Sequence, residues 1–490
     1  MLKAGLILSL ALLAGRIAGL LREVMLASVF GVSADADVAV LLLTVPDLFV
    51  NLLVSGGLSA ALVPHLATLQ PPDALALFRH ASIAAIGLFS LIGLGLAAWP
   101  QALFQVLAPG LVTPLTAWTP GVVAVAIAIP LTGAAGVAGA YLNAGQRFFV
   151  TGCGTLFFNL GVLGALWLGR DTSVPLQLLA YGIVAGAGLR WGAQLVSLPR
   201  PCSATRTTTT LADRALLRAF GAAVVATSLL LLAPLFIRAM ASTLGPGAIA
   251  SFNFAQKLIE LPVGILITSI STVALARMSA LYARGEHAAV AQAALRDTQH
   301  ALLMAVAVAL LGAWFADAVV QTVYGRGAIG PAAQERIAGL TRIALLGVPF
   351  IAISSMATAR LYAAKQASRI LAPTVVTLLL LPLFALPGLV WQSELALMGA
   401  VVLFQAVVAL WLGRLAGLRC SGGGAVLDGP TCRFLLLIVC FAAMAGALDW
   451  IIAVQSHWLR LLLAGAGFGA ALLTARRFLH GRGALALEAA

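Results

Sequence analysis

The chain is a succession of long apolar runs broken by short polar or Gly/Pro-rich punctuation. Each run provides the roughly 20 helical residues needed to cross about 30 Å of hydrocarbon. Hydropathy and punctuation predict helices near 4–30, 37–66, 78–99, 118–142, 152–170, 174–198, 214–243, 247–281, 297–320, 335–363, 369–391, 395–416, 430–453 and 457–477. The expected fold class is an all-α polytopic membrane protein with about 14 transmembrane helices. Lys3 followed by AGLILSLALLAG resembles a secretory leader at first sight. The apolar pattern continues past Arg16 to Phe30 without a convincing small-residue cleavage site, so the segment reads as the first membrane helix.

The most polar connector, PRPCSATRTTTTLADR at 199–214, separates two membrane halves. The expected organisation is 1–212 for helices 1–6, 213–425 for helices 7–12 and 426–490 for a last pair, helices 13–14. Each half opens on a similar word. Arg22, Gly31 and Val45-Pro46 in the first are matched by Arg238, Gly245-Pro246-Gly247 and Leu261-Pro262 in the second. Parallel repeats of this kind occur in transporters, with the substrate between the halves.

Composition agrees with lipid as the solvent: 62% of residues are hydrophobic and 9% charged, too apolar for a water-soluble core of this length. The net charge of +13 does not point to nucleic acid. The basic residues alternate between loops, with Arg79, Arg147, Arg200, Arg277, Arg414 and Arg477 on one side and Arg170, Arg326 and Arg336 on the other. By the positive-inside rule both termini are cytoplasmic. The five cysteines show no C-x-x-C spacing and no partnering histidine cluster, so no metal site, cofactor or disulfide framework is expected.

A charge near a membrane-helix centre costs on the order of 2.5–3.5 kcal/mol, so it is kept only where it meets water, a partner or a ligand. In the first helix Arg16, Gly19 and Glu23 share a face, with Arg22 beside them. In the second, Asp37, Thr44, Asp47, Asn51 and Ser55 form one polar stripe. The eighth repeats the pattern with Asn253, Gln256, Lys257 and Glu260, and Arg238 adds a cation to the seventh. These stripes fit a hydrated cavity lined by Arg16, Arg22, Arg238 and Lys257, with Asn51 as a polar ligand and Glu23, Asp37, Asp47 and Glu260 as counter-charges or gates. Arginine's planar fork suits phosphate, which makes a diphosphate a reasonable guest. The same residues also read as internal salt bridges, Arg16 or Arg22 with Glu23 or Asp37 and Lys257 with Glu260, that fix helix packing. Catalysis is not expected. The six histidines are scattered, and neither H-E-x-x-H nor a clustered Asp motif is present.

Six words, in order, resemble the MurJ (MviN) family of lipid II flippases, a branch of the multidrug/oligosaccharidyl-lipid/polysaccharide exporter superfamily. They are GRIAGLLREVMLASVFGVSADAD (15–37), VPDLFVNLLVSGGLSAALVP (45–64), YLNAGQRF (141–148), LGPGAIASFNFAQKLIELPVGIL (244–266), VYGRGAI (323–329) and RLYAAKQ (360–366). The resemblance implies two six-helix lobes in a V shape, with the last helix pair forming a groove for a polyprenyl tail. It implies a monomeric flippase of the bacterial cytoplasmic (inner) membrane that carries lipid II, or a similar polyprenyl-diphosphate glycolipid, from the cytoplasmic to the periplasmic leaflet by alternating access. By match, Arg16, Arg22 and Lys257 fall on family cations and Asp37 and Glu260 on family carboxylates. The chain departs from the pattern at Val50, where the family has an arginine, and at Ser55, where it has a glutamate. Ile237 and the carboxylate-free helix RILAPTVVTLLLLPLF give no support to the sodium site of some members. A flippase for another polyprenyl-linked glycan, an exporter of the same superfamily and a scaffold paralogue remain alternatives.

Overall fold

A computed structural model describes residues 2–50, 58–111, 119–199, 232–418, 426–452 and 457–488. Among the described residues the regular structure is entirely helical. The chain divides into two compact units, Met1–Ala250 and Ser251–Ala490. Most of the connector predicted as the boundary, from residue 200 onward, lies outside the described residues, as do Asn51 and Ser55.

The first unit holds α1 (Leu2–Phe30), α2 (Ala34–Val50), α3 (Leu58–Thr68), α4 (Pro71–Ala98), α5 (Pro100–Leu107), α6 (Thr119–Ala144), α7 (Phe148–Gly152), α8 (Gly154–Gly169), α9 (Pro175–Val196) and α10 (Leu232–Leu244). Pro71-Pro72 and Pro175 sit in the first turn of α4 and α9, where a missing N–H is not needed. Gly31, at φ 65°, closes α1 in a conformation that a side chain disfavours, and Ser33 Oγ accepts from Ala36 N at 3.1 Å to start α2. Lipid supplies no hydrophobic drive between helices, so close approach of small residues does the work. Gly15 and Gly19 of α1 lie against Thr155 and Asn159 of α8, which share the same four-residue step. On the opposite flank of α8, Gly182 and Gly186 of α9 seat against Gly161 and Phe158. A Cβ on Gly186 would meet the Phe158 carbonyl oxygen at 2.4 Å.

α11 (Ala248–Pro262) begins at the end of the first unit and runs through a π-helical turn, Val263–Ile267, into α12 (Thr268–Ala283). The second unit continues with α13 (His287–Trp314), α14 (Ala316–Tyr324), α15 (Pro331–Leu345), α16 (Val348–Ala363), α17 (Ser368–Val390), α18 (Glu394–Leu415), α19 (Gly429–Ile452) and α20 (His457–Glu488). The last helix pair packs on α13: Leu303 and Ala307 meet Ile438 and Ala471, and Leu311 and Phe315 meet Ala442 and Ala445. Arg460 and Asp449 join α19 to α20 at 2.6 Å. Arg336 with Glu394 and Arg342 with Asp317 tie α15 to α18 and α14.

Among the described residues, seven helices are long and apolar enough to span a bilayer, and α15 with α16, bent by 41°, makes an eighth if counted as one span. The predicted helix 335–363 is therefore broken, and 297–320 is observed as the longer α13 followed by the separate α14. The short helices α5 and α14 were not anticipated, each being under ten residues. Gly186→Val is expected to destabilise the first unit by about 1–3 kcal/mol, because the backbone of α8 cannot yield as a flexible side chain would. Thermal unfolding of the purified protein in detergent checks this, and an unchanged midpoint would contradict the packing described.

Candidate functional site

Arg22 is 5% exposed, so its guanidinium must be neutralised and hydrogen-bonded within the protein. Nη2 donates to Glu23 Oε1 at 2.7 Å and to Asp47 Oδ2 at 3.3 Å, and Nη1 donates to Asn159 Oδ1 at 3.1 Å. Asn159 in turn donates from Nδ2 to the Gly15 carbonyl at 3.2 Å. One cation thus pins α1, α2 and α8 together, and the close approach at Gly15 and Gly19 makes that reach possible. Glu23 is buried with Arg22, while the Asp47 side chain keeps 38% of its surface open. For Arg22 the salt-bridge reading, with Glu23, describes the geometry. Arg16, near the middle of α1, is exposed and makes no ion pair or hydrogen bond among the described residues.

Asp37 is also buried, and its oxygens accept from Gly247 N and Ala250 N, both at 2.7 Å. It serves as the anion at the N-terminus of α11, a stabilising location for a carboxylate. That explains the Gly245-Pro246-Gly247 turn. Gly247 has φ 79°, and a Cβ there would come within 2.5 Å of Val32. Asp37 was expected as a counter-charge or gate, and the two backbone bonds add a capping role that no local sequence pattern announces. Arg238, half-buried on α10, donates from Nη1 to Thr44 Oγ1 at 2.9 Å. Lys257 pairs with Glu260 one turn later on α11, at 2.8 and 3.0 Å, with Glu260 facing outward.

The structure therefore brings Arg22, Glu23 and Asp47 into direct contact, joins Arg238 to the same polar stripe of α2 through Thr44, and leaves Arg16 open. Two buried residues of this region escaped the sequence reading. Asn159 completes the Arg22 cage, and Arg190 of α9 is 3% exposed beside Gly154. Among the described residues, no group of three or more His, Cys, Asp or Glu side chains is placed to hold a metal ion.

Two packed sets of apolar helices, with buried and half-buried cations among them, define a polytopic α-helical membrane protein. The sequence model of the lipid II flippase MurJ family matches residues 26–466, and the chain belongs to that family. A lipid II flippase MurJ from Burkholderia cenocepacia is 27% identical over 336 residues, which span 64% of this chain and 64% of that relative. The fold is similar to a solved lipid II flippase MurJ in an inward closed conformation, with a TM-score of 0.81 at 17% identity, covering 97% of this chain and 99% of the other. It is also similar to an inward-facing multidrug resistance MATE family transporter of the MOP superfamily, with a TM-score of 0.69 at 13% identity over 82% and 94% of the two chains.

Arg22→Ala strands Glu23 without its partner and is expected to cost about 3–5 kcal/mol of stability. Arg16→Ala should leave the unfolding midpoint within error. Equal midpoints for the two variants would show that the Arg22 cage contributes nothing. Asp37→Ala is expected to destabilise by about 1–2 kcal/mol, the magnitude of a lost helix cap. The same thermal measurement checks it.

Proposed function

We propose that the chain is a flippase for lipid II, moving this polyprenyl-diphosphate glycolipid from the cytoplasmic to the periplasmic leaflet of the bacterial inner membrane by alternating access. Both termini are cytoplasmic in this reading, and the protein acts as a monomer. Membership of the lipid II flippase MurJ family supports it. The observation that carries it is Arg16, an open cation at the middle of a membrane helix with no carboxylate beside it among the described residues. A charge so placed is costly unless water or an anion meets it, and a diphosphate is the anion that matches the guanidinium fork.

In the proposed cycle Arg16 takes a phosphate oxygen first. Arg22 is held ready by Glu23 and Asp47, and Asp47, the more open carboxylate, is the one a phosphate displaces. Arg238, Lys257 and Asn51 complete the headgroup contacts, and Glu23, Asp37, Asp47 and Glu260 serve as counter-charges when the headgroup is absent. The likeness to a MATE transporter of the MOP superfamily favours one second reading, export of another cargo, including another polyprenyl-linked glycan.

Arg16→Ala is expected to abolish complementation of a flippase-depleted bacterium at a normal protein level. Lys257→Arg should complement and Lys257→Glu should not. Depletion of the protein in its own host should cause lysis with lipid II accumulating on the cytoplasmic side. Loss of a single surface glycan without lysis would transfer the assignment to the second reading.

A further inference from the structure

The face of α9 that meets α8 is built at four-residue steps. Gly182 and Gly186 make the closest approaches, and Arg190 and Gln194 continue the same line. Close packing of the first two residues draws the helices together and carries Arg190 into the interior. There its Nε lies 3.1 Å from the position a Cβ would take on Gly154, so the glycine lets the guanidinium lie close against the helix without shifting. Farther along, Gln194 Nε2 lies 3.5 Å from the corresponding point on Gly139 of α6. Both side chains are nearly sealed, with Arg190 3% and Gln194 1% exposed.

Arg22 and Arg190 are comparably buried and oppositely served. Arg22 has two carboxylates and an amide oxygen at its Nη atoms and an unpartnered Nε, whereas Arg190 makes no hydrogen bond at any nitrogen among the described residues, and the Gln194 Oε1 beside it is without a partner too. The carboxylate whose charge reaches Arg190 is Asp47, which also contacts Arg22. A buried guanidinium without hydrogen bonds is among the more expensive features a protein can keep, and a packing role would be served at lower cost by methionine or leucine. Five donors in a fixed fork, unbonded and beside the first turn of the sixteen-residue helix α8, describe half of an anion site.

We propose that Arg190 is a headgroup-binding cation, which takes a phosphate oxygen of a polyprenyl diphosphate when Asp47 gives way to it. This assignment rests on the flippase reading above and names a ligand residue that reading does not contain. Asp47 then has one task for two arginines. It bonds Arg22 and lends its charge to Arg190 in the ligand-free protein, and it yields to an anion that satisfies them better. Arg190 stabilises the ligand-bound protein and burdens the ligand-free one.

The test uses the full chain in lipid nanodiscs, with undecaprenyl diphosphate as probe and undecaprenol as the uncharged control. The read-out is the unfolding midpoint with and without each lipid. The diphosphate should raise the wild-type midpoint and the alcohol should not. In Arg190→Met the ligand-free midpoint should be unchanged or higher, while affinity for the diphosphate falls by about tenfold or more. Arg190→Lys should keep part of the response, because it keeps the charge. An Arg190→Met protein that responds like wild type overturns the assignment. So does an Arg190→Lys protein that is folded yet as unresponsive as the methionine variant, since that pattern marks shape rather than charge. A wild-type protein indifferent to both lipids defeats the flippase reading and this one with it. The lysine variant also decides the matter should the methionine variant not fold.

Discussion

A guanidinium withdrawn from water has to be answered by the protein, and the answer given to Arg22 organises the first unit. Glu23 neutralises it from the next position, Asp47 from α2 and Asn159 from α8. No one of these contacts would hold three helices in a medium that offers no hydrophobic drive between them. Together they fix the height of α2 and α8 against α1, and the small residues Gly15 and Gly19 let the backbones come near enough for an asparagine to span the gap. Charge compensation and close packing are one device here, because neither geometry survives without the other.

The same constraint sorts the cations by task. Arg22 is paired through both Nη atoms and carries structure, and Arg238 is bonded to Thr44. Lys257 is held loosely by a carboxylate on its own helix, a contact of the kind that contributes a few tenths of a kcal/mol on an exposed face. Arg16 is open. Under the proposed flippase reading, an open residue such as Arg16 engages a headgroup first, and a paired one such as Arg22 exchanges partners without any charge being left alone.

Much of the fold was legible as hydropathy, since lipid demands long uninterrupted apolar helices and the chain writes them plainly. Pro262 stands out in the sequence but the π turn after it does not, because such a turn is decided by where the carbonyls behind the proline find donors. Helices α5 and α14 were lost between longer runs, being too short for periodicity to isolate. The partners of Asp37 were illegible in principle, as they are backbone amides more than two hundred positions away. Arg190 was a different failure. It drew no reading at all, though the four-residue spacing from Gly182 and Gly186 already placed it on a tightly packed face. At the site, Arg22 with Glu23 was one of the pairings that the spacing left open, whereas Asn159 was hidden among apolar neighbours on a helix with no other polar stripe.

The π turn at Val263–Ile267 carries a mechanical consequence. Pro262 has no N–H to offer, and the chain absorbs the loss by winding one surplus residue into the turn, with the Thr268 N–H and hydroxyl both directed at the Val263 carbonyl. Each residue of an α-helix advances the azimuth by about 100°. A helix that stores a spare residue at a fixed address can therefore twist or tilt its distal segment by trading carbonyl partners within a single turn. The rest of its hydrogen-bond ladder stays intact, and nothing unpaired is shown to the lipid.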